Sequence, residues 1–218
     1  MPDLPPALRT LLEYYRPLST FSHGWPGGES LLSPGVNLLG ANAAYLPADV
    51  DASTLSEATD WARQHDVPPL RLLLGSGGEA GHLRVGTVHS TAEPGALHVE
   101  QLSRLHLPRW AAVLAEAHGQ PEWALPISRH LAARLEGPTH ATLLMAYAGS
   151  EEVGALLWQP SGAHLWGTLD PAVDAPLLSA AAELGGGETW ASLPDSSPMS
   201  LMDEQGVSFA HLPYSEDR

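Results

Sequence analysis

Apolar residues recur along this chain in two rhythms, one of about 3.6 residues and one of two, and the rhythms alternate. In Pro5–Arg16, Leu8, Leu11, Leu12 and Tyr15 share a face, which predicts a helix. His23–Gly28 is rich in Gly and Pro and reads as a loop. Val36–Leu46 reads as a strand ending at Pro47. Thr54–His65 is amphipathic through Leu55, Ala58, Trp61 and Ala62, with Ser53 as its cap and Glu57 nearby. Leu70–Leu74 is a short apolar run of the kind a buried strand shows, and Leu83–His89 is a second strand. Ser90–Leu97 is polar, holds Pro and Gly, and reads as a linker.

Beyond it the pattern predicts a strand at Leu97–Leu102 and helices at Pro108–His118 and Ala124–Leu135, closed by Gly119 and by Gly137-Pro138. Ala141–Tyr147 and Val153–Gln159 read as strands joined by a loop that includes Glu151 and Glu152. His164–Thr168 is a strand, and Ala175–Leu184 a helix stopped by Gly185-Gly-Gly187. Thr189–Leu193 is a strand, Pro198–Gln205 a short helix and Val207–Pro213 the last strand.

The alternation of strands and helices gives an α/β class with a mixed sheet. It also contains an echo. Pro47-Ala-Asp-Val-Asp-Ala-Ser-Thr-Leu-Ser-Glu-Ala resembles Pro171-Ala-Val-Asp-Ala-Pro-Leu-Leu-Ser-Ala-Ala, 124 residues later, and each stretch follows a strand and opens a helix. The strand after each helix repeats at an offset of 119. One supersecondary unit used twice predicts tandem α/β units, over residues 1–96 and 97–218.

Charge narrows the function. The net charge is −15, with five Arg against eleven acids in the first 100 residues and five against fourteen in the rest. Neither part has the clustered cations that nucleic acid or an anionic membrane requires. Every cation is Arg, which removes lysine chemistry, and there is no Cys, which removes thiolate nucleophiles and cysteine metal sites. The N-terminal stretch lacks the basic and apolar regions of a leader, and no apolar run reaches membrane-span length. The expectation is a soluble cytoplasmic protein.

Isolated motifs weigh little. Gly75-Ser-Gly77-Gly-Glu-Ala80 fits a relaxed dinucleotide pattern, but a strand-like segment follows it where that mechanism needs a helix. Eleven His occur without a His-Glu-x-x-His spacing, so scattered surface or core imidazoles are the simpler reading. Glu151-Glu152 could supply a base, although a solvated turn accounts for the pair. Trp61, Trp110 and Trp158 fall on apolar faces. Trp166 stands on the strand before the candidate loop and has the best claim among the tryptophans to meet a ligand.

From Leu97 to Tyr214 the element order resembles the GCN5-related N-acetyltransferase (GNAT) superfamily, and the first half resembles a degenerate copy of the same unit. Thr189-Trp-Ala-Ser-Leu-Pro-Asp-Ser-Ser-Pro-Met-Ser-Leu-Met-Asp-Glu-Gln-Gly-Val-Ser-Phe is similar to the family's penultimate strand and the helix that ends Leu-Tyr-x-x-x-Gly-Phe. The resemblance implies an acyl-CoA N-acyltransferase (GNAT-like) fold in two tandem units. It implies acetyl-CoA as the cofactor and a small-molecule amine as the acceptor. In the family two parallel strands splay to admit the pantetheine arm. Those strands would be His164–Thr168 and Thr189–Leu193, with the backbone of Leu165, Trp166 and Thr168 facing the arm.

Members of that family carry Gln/Arg-x-x-Gly-x-Gly/Ala where backbone N–H groups wrap the cofactor's pyrophosphate, a helix-terminus anion site. The corresponding run here is Thr168-Leu-Asp-Pro-Ala-Val-Asp-Ala-Pro-Leu, without Gly or Arg. Pro171 and Pro176 each remove a donor, and Asp170 and Asp174 repel phosphate. Asp174 is expected to cap its own helix. Met202 stands where many members place a proton-donating Tyr, and Gly206-Val207 replaces Gly-Phe. The expectation is an acetyltransferase-like protein with weak or no transfer activity. An active N-acetyltransferase using water or a carboxylate as base, and a non-catalytic binding or dimerisation module, are the alternatives.

Overall fold

The computed structural model describes residues 4–91, 97–137 and 140–212. Residues 92–96 of the expected linker, Pro138 and the expected strand end at Pro213 lie outside the described residues. The chain runs α1 (Pro6–Tyr15), β1 (Phe21–Trp25), β2 (Gly28–Leu32), β3 (Ala43–Tyr45), α2 (Ala52–Gln64), β4 (Leu70–Leu74) and β5 (Gly81–His89). It continues β6 (Leu97–Leu102), α3 (Leu107–Ala117), α4 (Ala124–Arg134), β7 (Thr142–Ala148), β8 (Glu151–Gln159) and β9 (Gly162–Thr168). It ends α5 (Asp174–Leu184), β10 (Glu188–Pro194) and β11 (Met202–His211). Two compact units form, one from the residues up to Val85 with those from Gln205 onward, the other from Gly86–Glu204.

In the first unit the strands lie in the order β1-β2-β3-β4-β11-β5. β1, β2 and β3 are antiparallel neighbours, and β3 and β4 are parallel, joined through α2. The strand beside β4 is the last in the sequence: β11 runs antiparallel to it, from Val207 opposite Leu74 to His211 opposite Leu70. Helix α1 buries Leu8, Leu11, Leu12 and Tyr15, the face its periodicity announced. Tyr15 packs so closely on Gly40 that a Cβ there would sit 2.2 Å from its ring. The Tyr45 hydroxyl donates to the Gly40 carbonyl at 2.7 Å.

The second unit repeats the scheme. β6, β7, β8 and β9 are antiparallel in turn, and β9 and β10 are parallel, joined through α5. Thus β2-β3-α2-β4 corresponds to β8-β9-α5-β10, the two copies of the echo. The N-terminal copy is the reduced one: a single helix precedes its sheet, where α3 and α4 stand in the second unit. Trp110 of α3 is completely buried, and its indole N–H lies within reach of two sheet carbonyls, Leu144 at 3.1 Å and Leu156 at 3.2 Å. α5 covers the face carrying Leu144, Leu156 and Trp166 with Leu177, Leu178 and Ala181.

Several expectations need correction. His23–Gly28 is not a loop: β1 and β2 pair directly across Pro26-Gly27, with Gly27 at φ 75° as a type II turn demands. Only Ala43–Tyr45 of Val36–Leu46 is strand, and Leu39–Ala41 forms a 3₁₀ turn. Asp51, rather than Ser53, caps α2, accepting from the Thr54 N–H at 2.9 Å. Glu151 and Glu152 belong to β8, leaving Gly149-Ser150 as the turn. Pro198–Gln205 is not a helix, and β11 is extended from Met202 onward. That segment offers a helix little apolar surface, while Val207–Ala210, buried on both faces, gain a full ladder partner in β4. Met202 is therefore an exposed strand residue, and its comparison with a helical Tyr no longer applies.

The Gly75–Ala80 loop is explained by packing. A Cβ on Gly78 would lie 2.3 Å from the Phe209 carbonyl, and the Gly78 N–H donates to Ser208 Oγ at 2.9 Å.

Trp110→Ala should cost about 3–5 kcal/mol through the cavity it leaves. Urea unfolding followed by circular dichroism should show a midpoint well below that of the wild type.

Candidate functional site

Parallel strands need a crossover, and the loop that opens the crossover helix is where α/β folds present backbone N–H groups. In the second unit that place lies between β9 and α5. The loop first forms a 3₁₀ turn, Pro171–Val173. Asp170 caps this turn, its Oδ1 accepting from the Ala172 N–H at 2.9 Å. The Asp170 carbonyl accepts from the Val173 N–H at 2.9 Å, and the Leu169 N–H donates to the Val153 carbonyl at 2.8 Å. The Asp174 N–H donates to the Pro171 carbonyl. Pro171 itself has no donor. The Leu169, Ala172, Val173 and Asp174 amides therefore bond to oxygens of the chain itself.

Asp174 departs from the expected role. It begins α5 but makes no cap; Val173 holds the cap position. Its carboxyl turns inward and is buried, accepting from Thr168 Oγ1 at 2.5 Å. Burial raises its pKa above the ordinary carboxylate value, the Thr168 hydroxyl opposes the shift, and the charge of Asp170 adds to it.

The two parallel strands barely meet. β9 and β10 share one register pair, Ala163 opposite Ala191. Past that point Trp166 bridges them, its indole Nε1–H donating to the Ser192 carbonyl at 2.8 Å. Trp166 is 9% exposed. Its own carbonyl accepts from His118 Nε2, at the end of α3, at 3.2 Å. Leu165 is buried on the alternate position of β9. His164, two residues before Trp166, is buried too, and burial holds its imidazole down at about 3, so it is neutral at physiological pH.

Leu165, Trp166 and Thr168 thus lie together on one strand, next to Asp174 and Ser192. The bridge from Trp166 to Ser192 and the inward turn of Asp174 have no counterpart in sequence spacing; each depends on a residue more than five positions away or on burial. Glu152 lies elsewhere, on β8, in an ion pair with Arg109. Among the described residues no group of three side chains could hold a metal ion, and no helix is long and apolar enough to cross a membrane.

An acid whose pKa is raised by folding binds its proton more tightly in the folded state. Its contribution to stability is full below the ordinary carboxylate range and is lost as pH rises through the raised value. Above that value the ionised carboxylate is therefore a net cost to the folded state. Asp174→Asn keeps an acceptor for Thr168 and removes the charge. Its melting temperature should exceed that of the wild type at pH 7, and the gap should close as the pH falls through the carboxylate range.

No family model and no curated protein matches the sequence. Solved structures do match. A GCN5-related N-acetyltransferase from Kribbella flavida superposes with a TM-score of 0.58 at 15% identity, over 96% of this chain and 96% of that one. A functionally unknown conserved protein from Staphylococcus epidermidis ATCC 12228 superposes with a TM-score of 0.55 at 10% identity, over 85% of this chain and 91% of that one. Together with the repeated strand–helix–strand unit, these likenesses identify the architecture: the chain has the fold of the GCN5-related N-acetyltransferases, as two tandem units of which the N-terminal one is reduced.

Proposed function

We propose that this is an acetyltransferase-like protein that has kept the fold and lost the grip on acetyl-CoA, with weak or no transfer activity. The observation that carries the reading is the bonding of the Leu169–Asp174 loop. A diphosphate at a helix N-terminus is held by unpaired N–H groups and favourable dipoles. Here the Leu169, Ala172, Val173 and Asp174 N–H groups bond to oxygens of the chain, and Pro171 has none. To bind there, a diphosphate would have to displace the Asp170 carboxylate and approach a second carboxylate at Asp174. Like charges at contact distance repel, so both carboxylates oppose an anion there.

The β9–β10 gap supports the same reading. A pantetheine arm would pair with strand backbone at Leu165, Trp166 and Thr168. On the facing strand the Ser192 carbonyl already holds the Trp166 indole, and the Thr168 hydroxyl is held by Asp174. Any cofactor entering this surface must first break those bonds.

Calorimetric titration with acetyl-CoA tests the proposal. No saturable heat is expected up to about 1 mM ligand, an affinity weaker than about −4 kcal/mol. Saturation at about 10 μM, accompanied by acetyl transfer to a small amine, would overturn it.

A further inference from the structure

β1 is a sheet edge, paired through β2 on one side and with no strand on the other among the described residues. Exposed edges of soluble proteins are ordinarily blunted by charge, proline, a bulge or a covering element. β1 has none of these within its span. Its sequence is Phe-Ser-His-Gly-Trp, its register with β2 is continuous from Phe21 to Trp25, and Phe21, Ser22, His23 and Gly24 are exposed. The contrast with β6 is informative: that strand carries an exposed Glu100 against an exposed His98.

We propose that β1 is a self-association surface, pairing antiparallel with β1 of a second copy of this chain. The inference is independent of whether acetyl-CoA binds. Three features select a second copy as the occupant. The first is register. Trp25 and Gly28 flank the two-residue turn and so exchange backbone bonds within the hairpin. By alternation Phe21 and His23 also face β2, while Ser22 and Gly24 direct their N–H and C=O groups to the open side. A two-fold axis at His23 then sets Ser22 against Gly24 of the second copy, and these outward groups form four hydrogen bonds.

The second feature is the ring order. Phe21, His23 and Trp25 share one face, and the same axis sets Phe21 against Trp25 of the second copy on both sides of a His23 pair. Aromatic cross-strand pairs stabilise an antiparallel ladder. The rings are already ordered. His23 lies 4.1 Å from Trp25 and 5.6 Å from Trp61 of α2, and His65 lies 5.0 Å from both Trp61 and Phe21. The Trp25 indole is pinned to Ser30 Oγ at 2.7 Å, and His65 Nδ1–H donates to the Trp61 carbonyl at 2.8 Å. Little side-chain freedom remains to be lost on pairing.

The third is charge and area. The whole chain carries −15, so contact between two copies is opposed over most of the surface. β1 has no acidic or basic residue apart from a histidine, so it can meet its own copy without facing like charges there. One five-residue strand and the rings beside it bury less than the roughly 800 Å² per partner of a tight complex. The dimer is therefore weak, and it strengthens with salt as repulsion is screened.

Sedimentation velocity on the full chain reads this directly. Dimer should appear between about 10 and 300 μM, with more at higher salt. Ser22→Lys/Gly24→Lys should remove it, because the axis sets each lysine against a lysine. Gly24 has nothing within 4 Å of an added Cβ, and circular dichroism should show the fold unchanged. Ser22→Glu/Gly24→Glu should be monomeric as well. Mixing the lysine and glutamate variants should restore dimer, through opposite charges across the same pairs. A wild type that remains monomeric over the whole range overturns the proposal. So does a dimer that survives in both charged variants, or one that mixing fails to restore.

Discussion

A backbone N–H in a tight loop serves one acceptor well, and between Thr168 and Asp174 the chain supplies that acceptor itself. Asp170 takes the Ala172 and Val173 amides through its side chain and its carbonyl, and the turn they make delivers Asp174 into the interior beneath Thr168. From there α5 covers the sheet face of Leu156 and Trp166, and β10 returns parallel to β9. The loop is thus built as a structural joint. Its Leu169, Val173 and Asp174 amides bond to main-chain carbonyls and its Ala172 amide to the Asp170 carboxylate.

The strand pair that follows obeys a related constraint. β9 and β10 meet at Ala163 and Ala191 and are then bridged by a side chain instead of a ladder. A buried carbonyl left without a donor costs about 1–3 kcal/mol, and the Trp166 indole meets that need for Ser192. Ring burial and carbonyl satisfaction are achieved by one residue. This also explains why Trp166 is buried on a strand whose neighbour lies out of ladder reach.

The first unit shows what a reduced copy retains. It keeps the parallel β3–β4 pair, the crossover helix and the antiparallel strands before them, and it completes its sheet with β11 from the far end of the sequence. The Gly75–Ala80 loop is shaped by that strand, since Gly78 must let the Phe209 carbonyl pass at contact distance. A glycine pattern with the outline of a nucleotide motif turns out to serve packing.

Much of this was legible in the residues. Period-3.6 faces such as Leu8-Leu11-Leu12-Tyr15 and the apolar run Leu70–Leu74 report burial that is local to their own element, so these elements and the repeated unit followed from spacing. The absence of glycine and the presence of Asp170 and Asp174 in the loop before α5 were equally plain. Long-range pairing was not. Met202–Gly206 is strand, not helix, as the start of β11, whose Val207–His211 find β4 about 130 residues earlier, and no window of local sequence contains that partner. His23–Gly28 became a hairpin edge for the same reason, since its strands are defined by each other. Asp174 turned inward to accept from Thr168 Oγ1, a pairing that a capping pattern does not reveal. Sequence determined the five longer helices, the buried strands and the charge of the loop before α5, because periodicity and charge belong to the residues themselves. Tertiary structure alone decided which strand completes each sheet, where Trp166 places its N–H and which edge stays open, because those depend on contacts between residues far apart in the chain.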